Sequence, residues 1–231
     1  MMTPSGKVLI VAAHPDDEVL GCGGTIARMV QSGREVDVAI LGEGVTSRLG
    51  SGTDSDRKMI ESLRETCRQA AEILGVTDCV FYDYPDNRFD TVPLLEIVKT
   101  VEELIHTIQP EIVYTHHPGD LNIDHSITFR AVMTATRPLE SGLVRKVYSF
   151  EVPSSTDWIF GGTSERFEPN EFVDICSTLD VKINAMKCYT SELKEYPHPR
   201  SLRSIESQAA IWGHKSACNA AEAFTLVREI L

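Results

Sequence analysis

The sequence predicts an α/β fold, a mostly parallel sheet flanked by helices with an elaborated C-terminal third. Three observations predict it. β-prone runs alternate with longer stretches of helical periodicity over the first ~140 residues, the pattern of a parallel sheet with right-handed crossovers. The first run, Lys7 to Ala13, is apolar almost throughout, as in a strand covered by helices on both faces. No internal repeat or low-complexity linker divides the 231 residues, so one domain spanning residues 1–231 is the simplest organisation.

The elements follow in order. After the first strand, Val19 to Ser32 is helical in pattern and Gly33 stops it. Glu35 to Leu41 reads as a second strand, and the glycine-rich stretch Gly42 to Ser55 as a loop long enough to be functional. From Asp56 to Leu74, the residues Ile60, Leu63, Cys67, Ala70, Ala71 and Leu74 recur at helical spacing, with Gly75 where a C-cap belongs. Val80 to Tyr82 is a short strand, Tyr84 to Asp90 a loop, and Val92 to Ile108 a helix whose end is reinforced by Pro110. Ile112 to Thr115 makes a fourth strand. Beyond Pro138 the order loosens: a strand near Val144 to Val152, a Gly/Ser/Thr/Pro-rich stretch to about Asn170, and helices around Leu179 to Tyr189 and Ser201 to Cys218.

Composition narrows the function. With 42% hydrophobic and 24% charged residues, the chain has the balance of a folded protein with a core of its own. A net charge of −12 repels phosphate, which argues against nucleic-acid binding and against docking on an anionic membrane. No apolar run approaches the ~20 residues of a membrane span, and Val8 to Ala13 is too short for a signal peptide, so the expected location is cytoplasmic. Six cysteines without a CxxC pair are expected to be reduced core residues.

Ligands of an open parallel sheet bind beyond the carboxyl ends of its strands. His14-Pro-Asp-Asp-Glu18 stands after the first strand and His116-His-Pro-Gly-Asp-Leu-Asn-Ile-Asp-His125 after the fourth, so the fold would bring four of the seven histidines to one edge. Histidine nitrogen with carboxylate oxygen suits Zn²⁺ or a similar divalent ion, and a catalytic site keeps three protein ligands and an open position for water. The spacing allows His14 and Asp17 to converge across a turn, with His125 as a third ligand and Asp16 left free as a general base. The competing reading of such acids is helix N-capping.

Ala13-His-Pro-Asp-Asp-Glu18 directly after an apolar strand, with Asn122-Ile-Asp-His125 about a hundred residues later, resembles the PIG-L/LmbE-type family of zinc-dependent N-deacetylases. Pro197-His-Pro-Arg-Ser201 and Ala221-Glu-Ala-Phe224 extend the likeness over nearly the whole chain. The resemblance implies a Rossmann-like fold, Zn²⁺ held by His14, Asp17 and His125, Asp16 as general base, and removal of an N-acetyl group from a small-molecule amino-sugar substrate of the GlcNAc type. The ligand set does not choose strongly between Zn²⁺ and another divalent metal such as Fe²⁺. One departure matters: many members carry a histidine three residues before the last ligand, assigned to the oxyanion or the leaving amine, and this chain has Asn122 there. An amide donates a hydrogen bond but not a proton.

His198, between two prolines, is the expected substitute acid or oxyanion donor, with His116 the rival for that role and otherwise a support of the site. Asp124 is expected to orient a neighbouring ligand. Glu43, Thr46, Ser47 and Arg48 after the second strand, and Asp86, Asn87 and Arg88 after the third, rim the same edge, where Asp or Arg can bind sugar hydroxyls; Arg48, Asp86 and Arg88 are the expected substrate contacts, Arg48 and Asp86 favoured by the family resemblance. Glu222, in an apolar tail, calls for a buried base that the sequence does not name. The alternatives are a metal-stabilised sugar-binding protein and an aspartate-dependent phosphatase, although phosphatases of that kind separate their two aspartates by one residue. Gly21-Cys-Gly-Gly24 is a poor dinucleotide fingerprint because Ile26 takes the third glycine's place. The loose region Ser154 to Asn170 suits an interface or lid, so an oligomer is compatible with the sequence.

Overall fold

The computed structural model describes residues 6–45, 54–138, 144–160 and 166–231. Strands β1 (Lys7–Ala12), β2 (Val36–Gly42), β3 (Asp78–Tyr84), β4 (Pro110–His116) and β5 (Lys146–Phe150) run parallel, while β7 (Ala221–Glu229) is antiparallel to both β5 and β6 (Glu171–Asp174). The sheet order is β3-β2-β1-β4-β5-β7-β6. The order reverses between β1 and β4, so a crevice opens beyond their carboxyl ends.

The helices are α1 (Asp17–Gln31), α2 (Asp54–Leu74), α3 (Leu94–Ile108), α4 (Ile123–Ala135), α5 (Leu179–Cys188) and α6 (Leu202–Ser216), with a 3₁₀ turn at Phe89–Thr91. Alternate residues of β1 feed two cores. Val8, Ile10 and Ala12 pack with Ile26, Cys67 and Met186 on one face, and Leu9, Val11 and Ala13 pack with Val98, Val101 and Ala131 on the other. This double burial is the reason β1 carries no polar residue after Lys7. Among the described residues, no helix is long and apolar enough to cross a membrane.

Three elements differ from the expectation. The loop after β4 gives way to α4 at Ile123, so His125 stands on that helix's first turn. β6 and β7 stand where no element was expected, between Asn170 and Leu179 and in the tail: β6 has four residues, and a buried acid, Glu222, interrupts the apolar pattern of β7. The cysteines are all free, but only Cys22 and Cys67 are buried, and Cys176 is exposed.

Glu222 has its base. Its carboxylate lies 2.6 Å from Lys182 Nζ and accepts the backbone N–H groups of Gly24 and Thr25 at 3.0 and 2.7 Å, while Lys182 Nζ also donates to Leu20 O at 2.9 Å. These are backbone groups beside the kink of α1 at Cys22, and the ion pair satisfies them inside the core. The Gly21–Gly24 run serves this packing: a Cβ on Gly24 would lie 2.8 Å from Ile175.

Candidate active site

The end of β1 turns into α1 through Asp16, whose φ of 105° is strained for a residue with a side chain. Its carboxylate makes no capping bond to the helix, which removes the N-cap reading; Oδ2 instead faces Arg200 Nη1 at 2.9 Å. The turn places Asp17 on the first turn of α1, fully buried, where its Oδ2 accepts the His14 backbone N–H at 2.9 Å. Around this oxygen stand His14 Nδ1 at 3.3 Å, His125 Nε2 at 3.2 Å and His116 Nε2 at 3.6 Å.

His14, Asp17 and His125 each offer a ligand atom, all within 4.8 Å of one another. Their far sides are held. His14 Nε2 bonds Asp124 Oδ2 at 2.9 Å and lies 3.3 Å from Asp86 Oδ1, and His125 Nδ1 lies 3.1 Å from Asp120 Oδ2. A carboxylate behind each imidazole fixes its orientation and raises its basicity. Asp17 Oδ1 and both ring nitrogens of His125 are buried without a hydrogen bond; Nδ1 keeps its charge contact with Asp120, and Oδ1 and Nε2 are left to face a cation. These oxygen and nitrogen donors fit a divalent ion of the Zn²⁺ or Fe²⁺ type.

The electrostatics agree. Burial opposes a charge on His14, yet hydrogen bonds to Asp124 and Asp17 raise its pKa to about 10. Burial likewise opposes a charge on His125, and Asp17 and Asp120 raise it to about 9. Asp17 goes far down because its histidine neighbours outweigh its burial. Asp16 goes the other way: burial pushes its carboxyl well up, Arg200 opposes this, and Asp17, Glu192 and Glu18 add to it. A buried carboxyl with a raised pKa in a cleft is a candidate for proton transfer. Burial also lifts Glu18 to about 7, against hydrogen bonds from Tyr189 and the backbone.

The other expected residues take definite places. Asp124 is fully buried and also accepts the backbone N–H groups of Asn87 and Phe89 at 2.6 and 2.9 Å, which ties the β3–α3 loop to His14. Asp86 is buried against His14, whereas Arg88 is exposed; Arg48 lies outside the described residues. Asn122 caps α4, its Oδ1 accepting the Asp124 N–H at 2.9 Å and its Nδ2 reaching Asn87 Oδ1 at 3.1 Å. His116 accepts the Ala13 N–H on Nε2 at 2.8 Å and stacks on His125 with centroids 3.9 Å apart, and burial pulls its pKa well down. Acceptance on Nε2 puts the ring's proton on Nδ1, an atom that is buried without a hydrogen bond. His198 is half-buried beside Trp158 and accepts the Arg200 N–H on Nδ1 at 3.1 Å. Burial, Arg200 and Lys194 lower its pKa, so the ring is neutral at pH 7 with its proton on Nε2.

Sequence reasoning missed Arg200, Asp120 and Glu192. Arg200 also bonds Ser154 Oγ at 3.0 Å and approaches Glu192 Oε2 at 3.6 Å. Asp120 was visible only as an acid in the second cluster. Its Oδ2 accepts the Thr156 hydroxyl at 2.8 Å, joining the β4–α4 loop to the segment after β5.

Comparison with known proteins places the chain in a family. A family model described as PIG-L, GlcNAc-PI de-N-acetylase, matches residues 9–136, which include every atom of the His/Asp cluster. The uncharacterized deacetylase YaiS of Escherichia coli K12 is 30% identical over 190 residues, covering 80% of this chain and 90% of its own. The diacetylchitobiose deacetylase of Thermococcus kodakarensis is 29% identical over 203 residues, 82% of this chain and 71% of its own. Among solved structures, N,N'-diacetylchitobiose deacetylase from Pyrococcus horikoshii superposes with a TM-score of 0.77 at 20% identity, over 97% of this chain and 85% of the other. GalB, the 4-carboxy-2-hydroxymuconate hydratase of Pseudomonas putida KT2440, gives 0.75 at 23% identity over 98% of each chain, so the fold alone does not choose the reaction. The family model and the YaiS alignment do what the fold cannot: this chain belongs to the PIG-L family of de-N-acetylases.

Proposed function

We propose that the protein is a metal-dependent hydrolase that removes the N-acetyl group from an amino sugar or amino-sugar conjugate. The observation that carries this reading is the cluster of His14, Asp17 and His125 within 4.8 Å, with the Asp16 carboxylate beside it and not spent on the helix. Three protein ligands and a spare carboxylate are the arrangement of turnover, whereas a purely structural ion is closed by four. The sequences of named deacetylases, at 29 to 30% identity, support the choice of an amide substrate.

His14, Asp17 and His125 would hold Zn²⁺ or Fe²⁺. Held there, the ion would supply Lewis acidity and would make water more acidic. Asp16 accepts the proton of the attacking water, and Arg200 orients its carboxylate at 2.9 Å. Once protonated, the same carboxyl returns the proton to the departing amine. His198, neutral and protonated on Nε2, serves as a hydrogen-bond donor to the developing oxyanion. Asp86, Arg88 and Arg48 are proposed for the sugar; Asn122 steadies the same rim through Asn87.

The test is a screen of N-acetylated amino sugars, N,N'-diacetylchitobiose among them, for released acetate with Zn²⁺ or Fe²⁺ present and after chelation. Release that depends on the metal supports the reading. No release from any acetamido sugar, with the metal bound, would refute it and favour a binding protein.

A further inference from the structure

Glu18 is a buried acid that the proposed chemistry does not use. It is 2% exposed, and among the described residues no lysine, arginine or histidine pairs with it. Three hydrogen-bond donors face it instead. Oε2 accepts the Asp16 backbone N–H at 3.0 Å, and Oε1 accepts the Tyr189 hydroxyl at 2.5 Å and the Cys67 thiol at 3.8 Å. Burying a carboxylate without a cation is costly, so an acid retained here needs a reason beyond packing.

The reason lies in Asp16. Its φ of 105° is a backbone conformation that a side chain disfavours, so surrounding bonds must hold it. The Asp16 carbonyl is engaged by the Val19 and Leu20 N–H groups at 3.1 and 2.9 Å, and its carboxylate by Arg200. Its N–H is engaged by Glu18 alone among the bonds described. Glu18 is in turn fixed by Tyr189 at the end of α5. Two helices remote in sequence, α2 through Cys67 and α5 through Tyr189, thereby reach the turn that aims Asp16.

We propose that Glu18 is a positioning residue: with Tyr189 it locks the peptide of Asp16 in its strained conformation and so aims the Asp16 carboxylate at the reacting water. This rests on the role proposed above for Asp16 as general base. Glu18→Met keeps the volume and removes the acceptor. It should retain metal and KM while lowering kcat about 10- to 100-fold, the usual cost of losing a supporting contact. Glu18→Gln retains an oxygen for the Asp16 N–H and an NH₂ that can donate to the Tyr189 oxygen, so it should stay within about threefold of the parent. Tyr189→Phe should fall between the two.

A double-mutant cycle with Asp16→Asn separates aiming from mere folding. The substrate is whichever amino sugar releases most acetate in the screen, and amide hydrogen exchange of Asp16, referenced to Val11 in β1, provides a readout independent of activity. The expected result is faster Asp16 exchange in Glu18→Met but not in Glu18→Gln, and less than about a twofold further loss from Glu18→Met in the Asp16→Asn background. Equal losses in both backgrounds, or unchanged Asp16 exchange, would overturn the positioning role while leaving the general base in place. Full activity of Asp16→Asn alone would instead bring down the general base, and the positioning role with it.

Discussion

Replacing Asp16 by Asn removes a charge from the centre of the site and leaves its shape. The Arg200 bond at 2.9 Å changes from an ion pair to a bond between the guanidinium and a neutral amide oxygen, a loss of about 1 kcal/mol. Arg200 is not stranded, since Ser154 Oγ at 3.0 Å and Glu192 Oε2 at 3.6 Å remain. The neutral amide also relieves the repulsion among Asp16, Asp17, Glu18 and Glu192 that helps push the Asp16 carboxyl up. These changes oppose each other, so stability should move by no more than about 1 kcal/mol, or about 4 °C in Tm for a chain of this size. Loss of the general base should cost about 10²- to 10⁴-fold in kcat, or roughly 3 to 5.5 kcal/mol of barrier. The assay is acetate release at saturating substrate, with metal content and thermal unfolding measured on the same preparation. Turnover within about tenfold of the parent, at full metal content, would refute the assignment of Asp16.

Other consequences test the surrounding residues. His125→Ala should lose most of the bound metal, and Asp120→Asn should weaken metal affinity about 10- to 100-fold by freeing the far nitrogen of His125, both measured by competition with a chromogenic chelator. With His14 raised to about 10 and His125 to about 9, both rings carry an extra proton at pH 7 in the metal-free protein. Metal binding should therefore release about two protons per ion, and affinity should fall as pH falls; calorimetry in buffers of different ionisation enthalpy measures this. The lowered pKa of His198 keeps it neutral at and above pH 7, so His198→Ala should reduce turnover without changing the alkaline limb of the pH profile. Disappearance of that limb would make His198 a proton donor after all. Lys182→Met leaves Glu222 buried with only two backbone donors and should cost about 3 kcal/mol in chemical denaturation, largely recovered when Glu222→Gln is added.

By itself the sequence determined the parallel part of the sheet and the edge at which its histidines and acids gather. An apolar strand buried on both faces, a turn and an amphipathic helix are local patterns, and so is a run such as His14-Pro-Asp-Asp-Glu18 at a strand end. Because parallel strands present their carboxyl ends at one edge, the same reasoning brought His125 to His14 across more than a hundred residues. Only the tertiary structure decided what depends on side chains meeting from distant elements. It placed β7 between β5 and β6, so that Glu222 meets Lys182 at the kink of α1, a pairing no periodicity announces because a buried ion pair breaks the apolar pattern. It set Arg200 against Asp16, 184 positions away in sequence, and gave Asp120 rather than a nearer neighbour to His125. It also set His116 Nε2 against the Ala13 N–H, which puts the ring's proton on Nδ1. Local patterning is written in neighbouring residues, whereas the orientation and protonation of a buried group are set by partners that only the folded chain brings within 3 to 4 Å.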